Sequence, residues 1–148
     1  MRVLLQFRMV FGAARRHFQR VEQAVGLGGA QVWALSVIQQ SPDLSLGALA
    51  QALRIRQPTA SNMVKQLVAR GLVQAERSAG DRRRLLLRAT PDGLALLARV
   101  PGPPEGVLPQ ALSRLEPDVL HHLETHLQTL LGHLQVDEAT AHTPLSAM

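Results

Sequence analysis

The sequence lacks cysteine and tyrosine, and Lys65 is its single lysine. Without cysteine the chain can form neither disulfides nor thiolate metal sites, and it has no thiol that could act as a redox switch. Its aromatic residues are three phenylalanines and one tryptophan, too few for the base-stacking surface of many proteins that bind single-stranded RNA. A run of about 18 apolar residues, which a membrane-spanning helix requires, is also missing, so no membrane partner is expected.

Length and composition indicate a single folded domain over residues 1–148. A chain of 148 residues can bury one sizeable core. Hydrophobic residues make up 46% of it, which excludes a disordered polar chain. The short apolar runs at the amino terminus are interrupted by Arg2, Arg8, Arg15 and Arg16, so we expect a mature cytoplasmic sequence rather than a signal peptide.

The positive charge is concentrated in the middle of the chain. The formal net charge is +5, and 15 of the 16 basic residues are arginine. Residues 41–90 carry nine basic and three acidic groups (+6), residues 91–148 carry two arginines and seven acids (−5), and residues 1–40 contribute +4. Guanidinium groups bind phosphate and guanine through paired hydrogen bonds, so a local surplus of this kind favours a nucleic-acid-binding face. A coding bias toward arginine is the alternative explanation for the composition.

An apolar seam runs along the first part of the chain. Its residues recur at alternating steps of three and four, which predicts a helix over residues 2–25 that the glycines following it end. The seam consists of Leu4, Phe7, Phe11, Ala14, Phe18, Val21 and Val25. Such a stripe is either the core-facing side of a helix or a seam that packs against a second subunit.

Residues 30–100 carry the order helix, helix, helix, hairpin, helix. Ser45 is a suitable N-cap for the second helix, Pro58 fits the first turn of the third, and Gly71 ends it. The predicted helices lie within residues 30–39, 44–55 and 57–70, and two short strands at 72–78 and 84–90 precede a helix that begins at Thr90. This order is typical of a winged helix-turn-helix.

A helix-turn-helix consists of two helices, of which the second enters the major groove. Here the pair is residues 44–55 and 57–70, so residues 57–70 form the recognition helix. Its outward positions carry polar groups and cations that can approach base edges and phosphates. These positions are Gln57, Thr59, Ser61, Asn62, Lys65, Gln66 and Arg70. The hairpin tip adds cations that can reach the adjacent minor groove or flanking phosphates, namely Arg82, Arg83 and Arg84.

Residues 44–93 resemble the MarR family of bacterial transcription factors. The wing signature of that family is an Asp, any residue, an Arg, five residues, Leu-Thr, two residues and Gly. This chain has Asp81, Arg83, Thr90 and Gly93 at those positions, with an alanine in place of the leucine. The resemblance implies that Arg83 enters the minor groove and that Asp81 orients it by a charge-assisted hydrogen bond. A turn-forming role is the alternative for Asp81.

The resemblance also implies a mainly α-helical fold with a small β-hairpin wing. The winged lobe would span residues 30–100, between dimerisation helices at 1–25 and 105–136, and we expect a frayed tail at 137–148. The implied dimer-interface residues are Leu4, Phe7, Phe11, Phe18, Leu123, Leu127, Leu130 and Leu134. Such a homodimer binds a pseudo-palindromic double-stranded site with its two recognition helices roughly 34 Å apart.

In the family a small ligand, often aromatic or anionic, binds between the dimer base and the winged lobe and releases the DNA. The resemblance therefore implies a repressor that an effector inactivates, driven by unequal affinity of the effector for two dimer shapes. Candidate pocket residues are Trp33, Arg15, Arg16 and His17. The alternatives are core packing for Trp33 and a solvated helix face for the other three.

Two other functions stay open at this stage. His122 and His126 have metal-ligand spacing and His121 and His133 lie nearby, which would suit a metal-responsive regulator, although no HExxH motif or cysteine supports a metal site. A winged helix can also serve as a protein–protein interaction module. The sequence has no glycine-rich phosphate loop and no GxSxG motif, so we expect neither an enzyme nor a cofactor.

Overall fold

The computed structural model describes residues 2–147, except for the side chain of Ala139. This part of the chain is mainly helical with one small antiparallel sheet, as predicted. The helices are α1 Arg2–Val25, α2 Gly29–Gln40, α3 Leu46–Leu53, α4 Gln57–Ala69, α5 Pro91–Leu97, α6 Val107–Ser113 and α7 Pro117–Gly132. The strands are β1 Leu44–Ser45, β2 Val73–Arg77 and β3 Leu85–Ala89. None of the helices described combines the length and apolar character needed to cross a bilayer.

The core of the winged lobe is built around α2. Val32, Leu35 and Ile38 of this helix are fully buried. Leu49 of α3 and Leu67 of α4 belong to the same buried cluster. Helix α2 therefore serves as the central support of the lobe, and it covers the helix predicted within residues 30–39.

The apolar seam of α1 divides between two environments. Val21 and Val25 belong to the lobe core, whereas Leu4 is 52% exposed and Phe11 63% exposed. The helix ends at Gly26, whose φ of +68° allows its N–H to bond to the Glu22 carbonyl oxygen at 2.8 Å. One half of the seam is thus lobe core, and the other half faces solvent in this chain.

A third strand joins the predicted hairpin. The short extended step before α3 pairs with β3, with Leu44 opposite Leu87 and Ser45 opposite Leu86, which gives the strand order β1-β3-β2. Ser45 also caps α3 as predicted, because its Oγ accepts the Ala48 N–H at 3.2 Å. Leu87 is fully buried, so the central strand holds the wing to the core.

Thr90 and Gly93 fix the base of the wing. The Thr90 N–H donates to the Leu72 carbonyl oxygen at 3.0 Å, and its hydroxyl donates to the Gly71 carbonyl oxygen at 2.6 Å. The same hydroxyl oxygen accepts the Gly93 N–H at 3.1 Å. A Cβ at residue 93 would lie 2.3 Å from the Leu72 carbonyl oxygen, so this close approach requires glycine. These two residues of the wing signature therefore have a structural role.

The carboxyl-terminal segment differs from the expected frayed tail. Residues 138–147 contain two 3-10 helices, Glu138–His142 and Leu145–Ala147. The Ser146 Oγ accepts the Ala30 N–H at 2.9 Å, and the His142 Nδ1 lies 3.3 Å from the Arg54 carbonyl oxygen. The segment thus folds back onto the start of α2 and the turn after α3. Periodicity missed this because the segment carries no apolar stripe; it meets the lobe through these polar groups and through Pro144, which borders a crevice with Trp33.

We expect Gly93→Ala to destabilise the fold, because the added methyl group meets a backbone oxygen at 2.3 Å. Overpacking of this kind costs about 1–3 kcal/mol, so the midpoint of urea unfolding should fall. Gly47→Ala, in the first turn of α3, is the matched control, since a Cβ there meets nothing within 4 Å. Equal urea midpoints for the two variants would contradict a close approach at Gly93.

Candidate nucleic-acid interface

Helix α4 turns one side to the core and the other to solvent. Ala60, Val64 and Leu67 are buried, while Asn62 and Lys65 on the opposite side are exposed. An asparagine amide can pair with the edge of adenine, and a lysine ammonium can contact guanine or a phosphate. This side of α4 has the chemistry that a recognition helix needs in a major groove.

The start of α4 presents the smaller predicted contact residues. Gln57 is exposed, whereas Thr59 and Ser61 are half-buried. Pro58 occupies the first turn, as predicted. The first-turn N–H groups of a helix favour anions, so this end of α4 suits a DNA phosphate.

Two of the predicted outward residues also form hydrogen bonds that join α4 to neighbouring helices. The Arg70 Nη1 donates to the Gly26 carbonyl oxygen at 2.7 Å, at the end of α1. The Gln31 Nε2 of α2 donates to the Gln66 Oε1. Both residues are nonetheless exposed, so the prediction that they project outward and contact DNA stays a prediction beside these hydrogen bonds.

Two cations at the turn between α3 and α4 were not singled out from the sequence. Arg54 caps the end of α3 in the left-handed conformation with φ of +53°, and Arg56 is the N-cap residue of α4. Both are exposed. Both arginines were counted in the positive charge of residues 41–90. Their place beside the start of α4 becomes clear only from the bounds of the turn in the structure.

The wing tip, residues 78–84, exposes its three predicted cations, Arg82, Arg83 and Arg84. The Asp81 Oδ1 accepts the backbone N–H of Arg83 at 2.9 Å, and the Asp81 carbonyl oxygen accepts the Arg84 N–H at 2.9 Å. Within the described chain this carboxylate therefore contacts backbone and no guanidinium group. The geometry agrees with the turn-forming alternative for Asp81.

Two further arginines support the wing. The Arg77 Nη1 donates to the Arg82 carbonyl oxygen at 2.7 Å. Arg88 and Asp43 form a paired ion bridge, with Nε to Oδ1 at 2.6 Å and Nη2 to Oδ2 at 2.8 Å. The Arg88 hydrogen bonds lower the pKa of the Asp43 carboxyl. Both guanidinium groups are thus engaged within the lobe, unlike the cations at the wing tip.

Helices α1, α6 and α7 border an apolar groove of about 530 Å³. The predicted interface residues that line it are Phe7, Phe11, Leu123, Leu127 and Leu130. Leu4 is exposed on the same helix as Phe7, and Leu134 lies beyond the end of α7. Phe18 packs closely over Gly29 and near Gly106 within its own chain.

The four candidate effector-pocket residues lie in different environments. Arg15 and Arg16 are exposed on α1, and Trp33 lines a small crevice that Pro144 also borders. His17 is buried next to Gly102, and this burial, together with the nearby positive charge of Arg20, lowers the pKa of His17. A shared effector pocket for the four therefore stays a prediction.

The histidines of α7 form no metal cluster in the structure. The rings of His121 and His122 lie 6.2 Å apart, and His126 borders the apolar groove. Over residues 2–147 no group of three potential His, Cys, Asp or Glu ligands is placed to hold a metal ion. The metal-responsive alternative thus gains no structural support from this region.

Comparisons with known proteins agree with the geometry of the lobe. The model of the MarR family matches residues 25–84, from the end of α1 through the wing tip. A protein from Thauera aromatica, described as a transcriptional regulatory protein for the hcr operon, is 34% identical over 125 residues. That match covers 83% of this chain and 70% of the relative.

Two solved structures have similar folds. The complex of DNA with Sco3205, a MarR family transcriptional regulator from Streptomyces coelicolor, gives a TM-score of 0.62 at 25% identity, covering 92% of this chain and 89% of that one. A MepR-like protein complexed with pseudoligands gives a TM-score of 0.64 at 18% identity, covering 87% and 91% of the two chains.

Two substitutions of Asp81 distinguish the effect of its hydrogen bond in the wing turn from the effect of its negative charge on DNA binding. If the carboxylate mainly repels DNA, both Asp81→Asn and Asp81→Ala should tighten binding. If it holds the Arg83 N–H, we expect Asp81→Ala alone to weaken binding to duplex DNA, because only the asparagine retains an acceptor oxygen. Fluorescence-anisotropy titration of the variants decides between the two, and equal tightening in both would disprove the turn role.

Proposed function

Because the chain belongs to the MarR family of transcriptional regulators, we propose that it represses transcription as a homodimer bound to a pseudo-palindromic duplex. The family is one of regulators rather than enzymes. The observation that carries the proposal is the pairing of a polar, solvent-facing recognition helix with a cationic wing on one lobe. We place this activity in the cytoplasm.

The recognition helix and the wing divide the work of binding. Asn62 and Lys65 would meet base edges, with Gln57, Thr59 and Ser61 toward the start of the helix. The wing-tip cations Arg82, Arg83 and Arg84 would follow the backbone or enter the minor groove. The solved complex of Sco3205 with DNA supports DNA binding by a chain of the same family.

The apolar groove supports the dimer. Exposed apolar residues continue beyond it, including Leu5 and Met9 on α1 and Leu131 on α7. Surfaces this apolar mark interaction sites on proteins. The charge of the segments also fits a second copy, since residues 1–40 carry +4 and residues 91–148 carry −5. We infer that the groove receives the corresponding helices of a second chain.

An effector would act through the dimer geometry. The MepR-like relative is complexed with pseudoligands, which supports a ligand for this chain as well. We propose a small aromatic or anionic compound that binds near Trp33, Arg15 and Arg16. It releases DNA only if it binds the released dimer shape more tightly than the DNA-bound shape.

Selection from a random-sequence pool, followed by titration at several salt concentrations, tests DNA binding. The wild type should enrich an inverted repeat, and its affinity should fall steeply with salt as counterions are released. Arg83→Ala should weaken binding by a few kcal/mol at most and lower the salt slope by about one.

Arg114→Ala serves as the control for Arg83→Ala, because this exposed arginine follows α6 in the acidic part of the chain. Its affinity and slope should match the wild type. Absence of wild-type binding at low salt would refute the DNA-binding function and favour the protein-interaction module. An unchanged slope for Arg83→Ala would refute the wing assignment alone.

Phe11→Glu should disrupt the dimer, because a carboxylate placed in the apolar groove would be desolvated without a partner. Sedimentation velocity should show a shift from dimer to monomer. Gln19→Glu is the matched control, since this exposed residue lies on the same helix outside the groove and should leave the dimer intact. A Phe11→Glu variant that remains a stable dimer would refute the interface.

A further inference from the structure

The contact between Arg70 and Gly26 joins the end of the recognition helix to the end of α1. The Arg70 Nη1 donates to the Gly26 carbonyl oxygen at 2.7 Å, and its Nη2 would lie 3.5 Å from a Cβ at residue 26. The carboxyl-terminal end of a helix carries partial negative charge on its free carbonyl groups. A guanidinium group therefore suits this position electrostatically as well as by hydrogen bonding.

A second contact lies one helical turn earlier on the same flank of α4. Gln66 precedes Arg70 by four residues, so the two side chains are neighbours on the helix surface. Gln66 accepts a hydrogen bond from Gln31 of α2. Together, Arg70 with Gly26 and Gln66 with Gln31 form what we call the α4 brace.

The backbone around the brace is well defined at both ends. Gly26 ends α1 with φ of +68°, and Gly71 follows α4 with φ of +70°. The Leu72 N–H bonds to the Leu67 carbonyl oxygen at 3.0 Å, which closes the last turn of α4. The brace thus connects two helix ends whose backbones are each held by a capping turn.

We propose that Arg70 is a positioning residue that holds the end of the recognition helix at a fixed orientation to α1, while Gln66 supports the same flank of the helix through α2. This inference rests on the proposed function, in which the amino-terminal half of α1 forms the dimer base and α4 reads DNA. Since α1 runs from that base to the lobe, the brace sets the spacing of the two recognition helices. Arg70 then contributes to DNA binding through α1 and not through a phosphate.

The absence of cysteine allows a test that does not depend on DNA. Cysteines introduced at Gln19 on α1 and Asn62 on α4, both exposed, carry spin labels, and unlabelled protein dilutes the labelled chains. Pulsed electron–electron double resonance measures the distance between the two labels, and its distribution should become broader when Arg70→Gln is added. Lys65→Gln, on the outward side of α4, is the control and should leave the distribution unchanged.

A DNA titration then separates positioning from phosphate contact. The probes are the duplex that the wild type selects from a random pool and the same duplex with one base pair added between its half-sites. Arg70→Gln should weaken binding to the selected duplex about tenfold without lowering the salt slope, and it should discriminate less between the two spacings. Arg70→Lys, which keeps a donor, should recover part of the loss.

An unchanged distance distribution for Arg70→Gln would overturn the brace. A fall of about one in the salt slope, equal on both duplexes, would also overturn it, because that is the signature of a phosphate contact. If the wild type enriches no duplex from the random pool while Arg70→Gln still broadens the distance distribution, the proposed function fails and the brace stands. Thermal unfolding by circular dichroism verifies that each variant is folded.

Discussion

Helix α1 carries a single apolar seam that the chain buries only at one end. Val21 and Val25 complete the lobe core, whereas Phe11 stays mostly exposed along the groove with α6 and α7. Exposing apolar surface to water is unfavourable in proportion to its area, so the amino-terminal half of the seam calls for a partner. Because α1 is one continuous helix, it connects the lobe core to the partner proposed to cover the groove.

The recognition helix α4 and the wing are also held mainly by contacts within the lobe. The buried side of α4 packs on the core, and the brace contacts one flank of the helix. The opposite side, with Asn62 and Lys65, is the one that can enter a groove of DNA. At the wing, Thr90 and Gly93 fix the base by hydrogen bonds and a close backbone approach, while Asp81 shapes the tip. The residues of the wing signature therefore divide into three that build the wing and Arg83, which the wing presents to solvent.

Much of this was accessible from the sequence, because it rests on periodic burial and local turn chemistry. The seam of α1, the Ser45 cap and the extent of α4 follow from spacing and residue type alone. Gln66 and Arg70 could not be assigned this way, since a polar residue on a helix flank looks the same whether it meets DNA or a neighbouring carbonyl. The docked tail and the pairing of β1 depend on contacts between distant segments, which a local pattern does not encode.

The structure also bears on the alternative interpretations of the α7 histidines and of the arginine excess. The metal-responsive alternative needs ligands that converge, and no such group of three occurs among residues 2–147. A coding bias could explain the number of arginines, but the positions of their side chains distinguish two groups. Arg88 and Arg77 serve the lobe itself, while Arg82, Arg83 and Arg84 extend from the wing tip into solvent.

Binding of two chains to one duplex is the step on which the proposed function depends. Native mass spectrometry of the protein mixed with its selected duplex measures that stoichiometry directly. We predict a complex of two chains with one duplex, dissociating as the salt concentration rises. A complex that contains a single chain per duplex, or free protein beside unbound duplex at low salt, would contradict the proposed function.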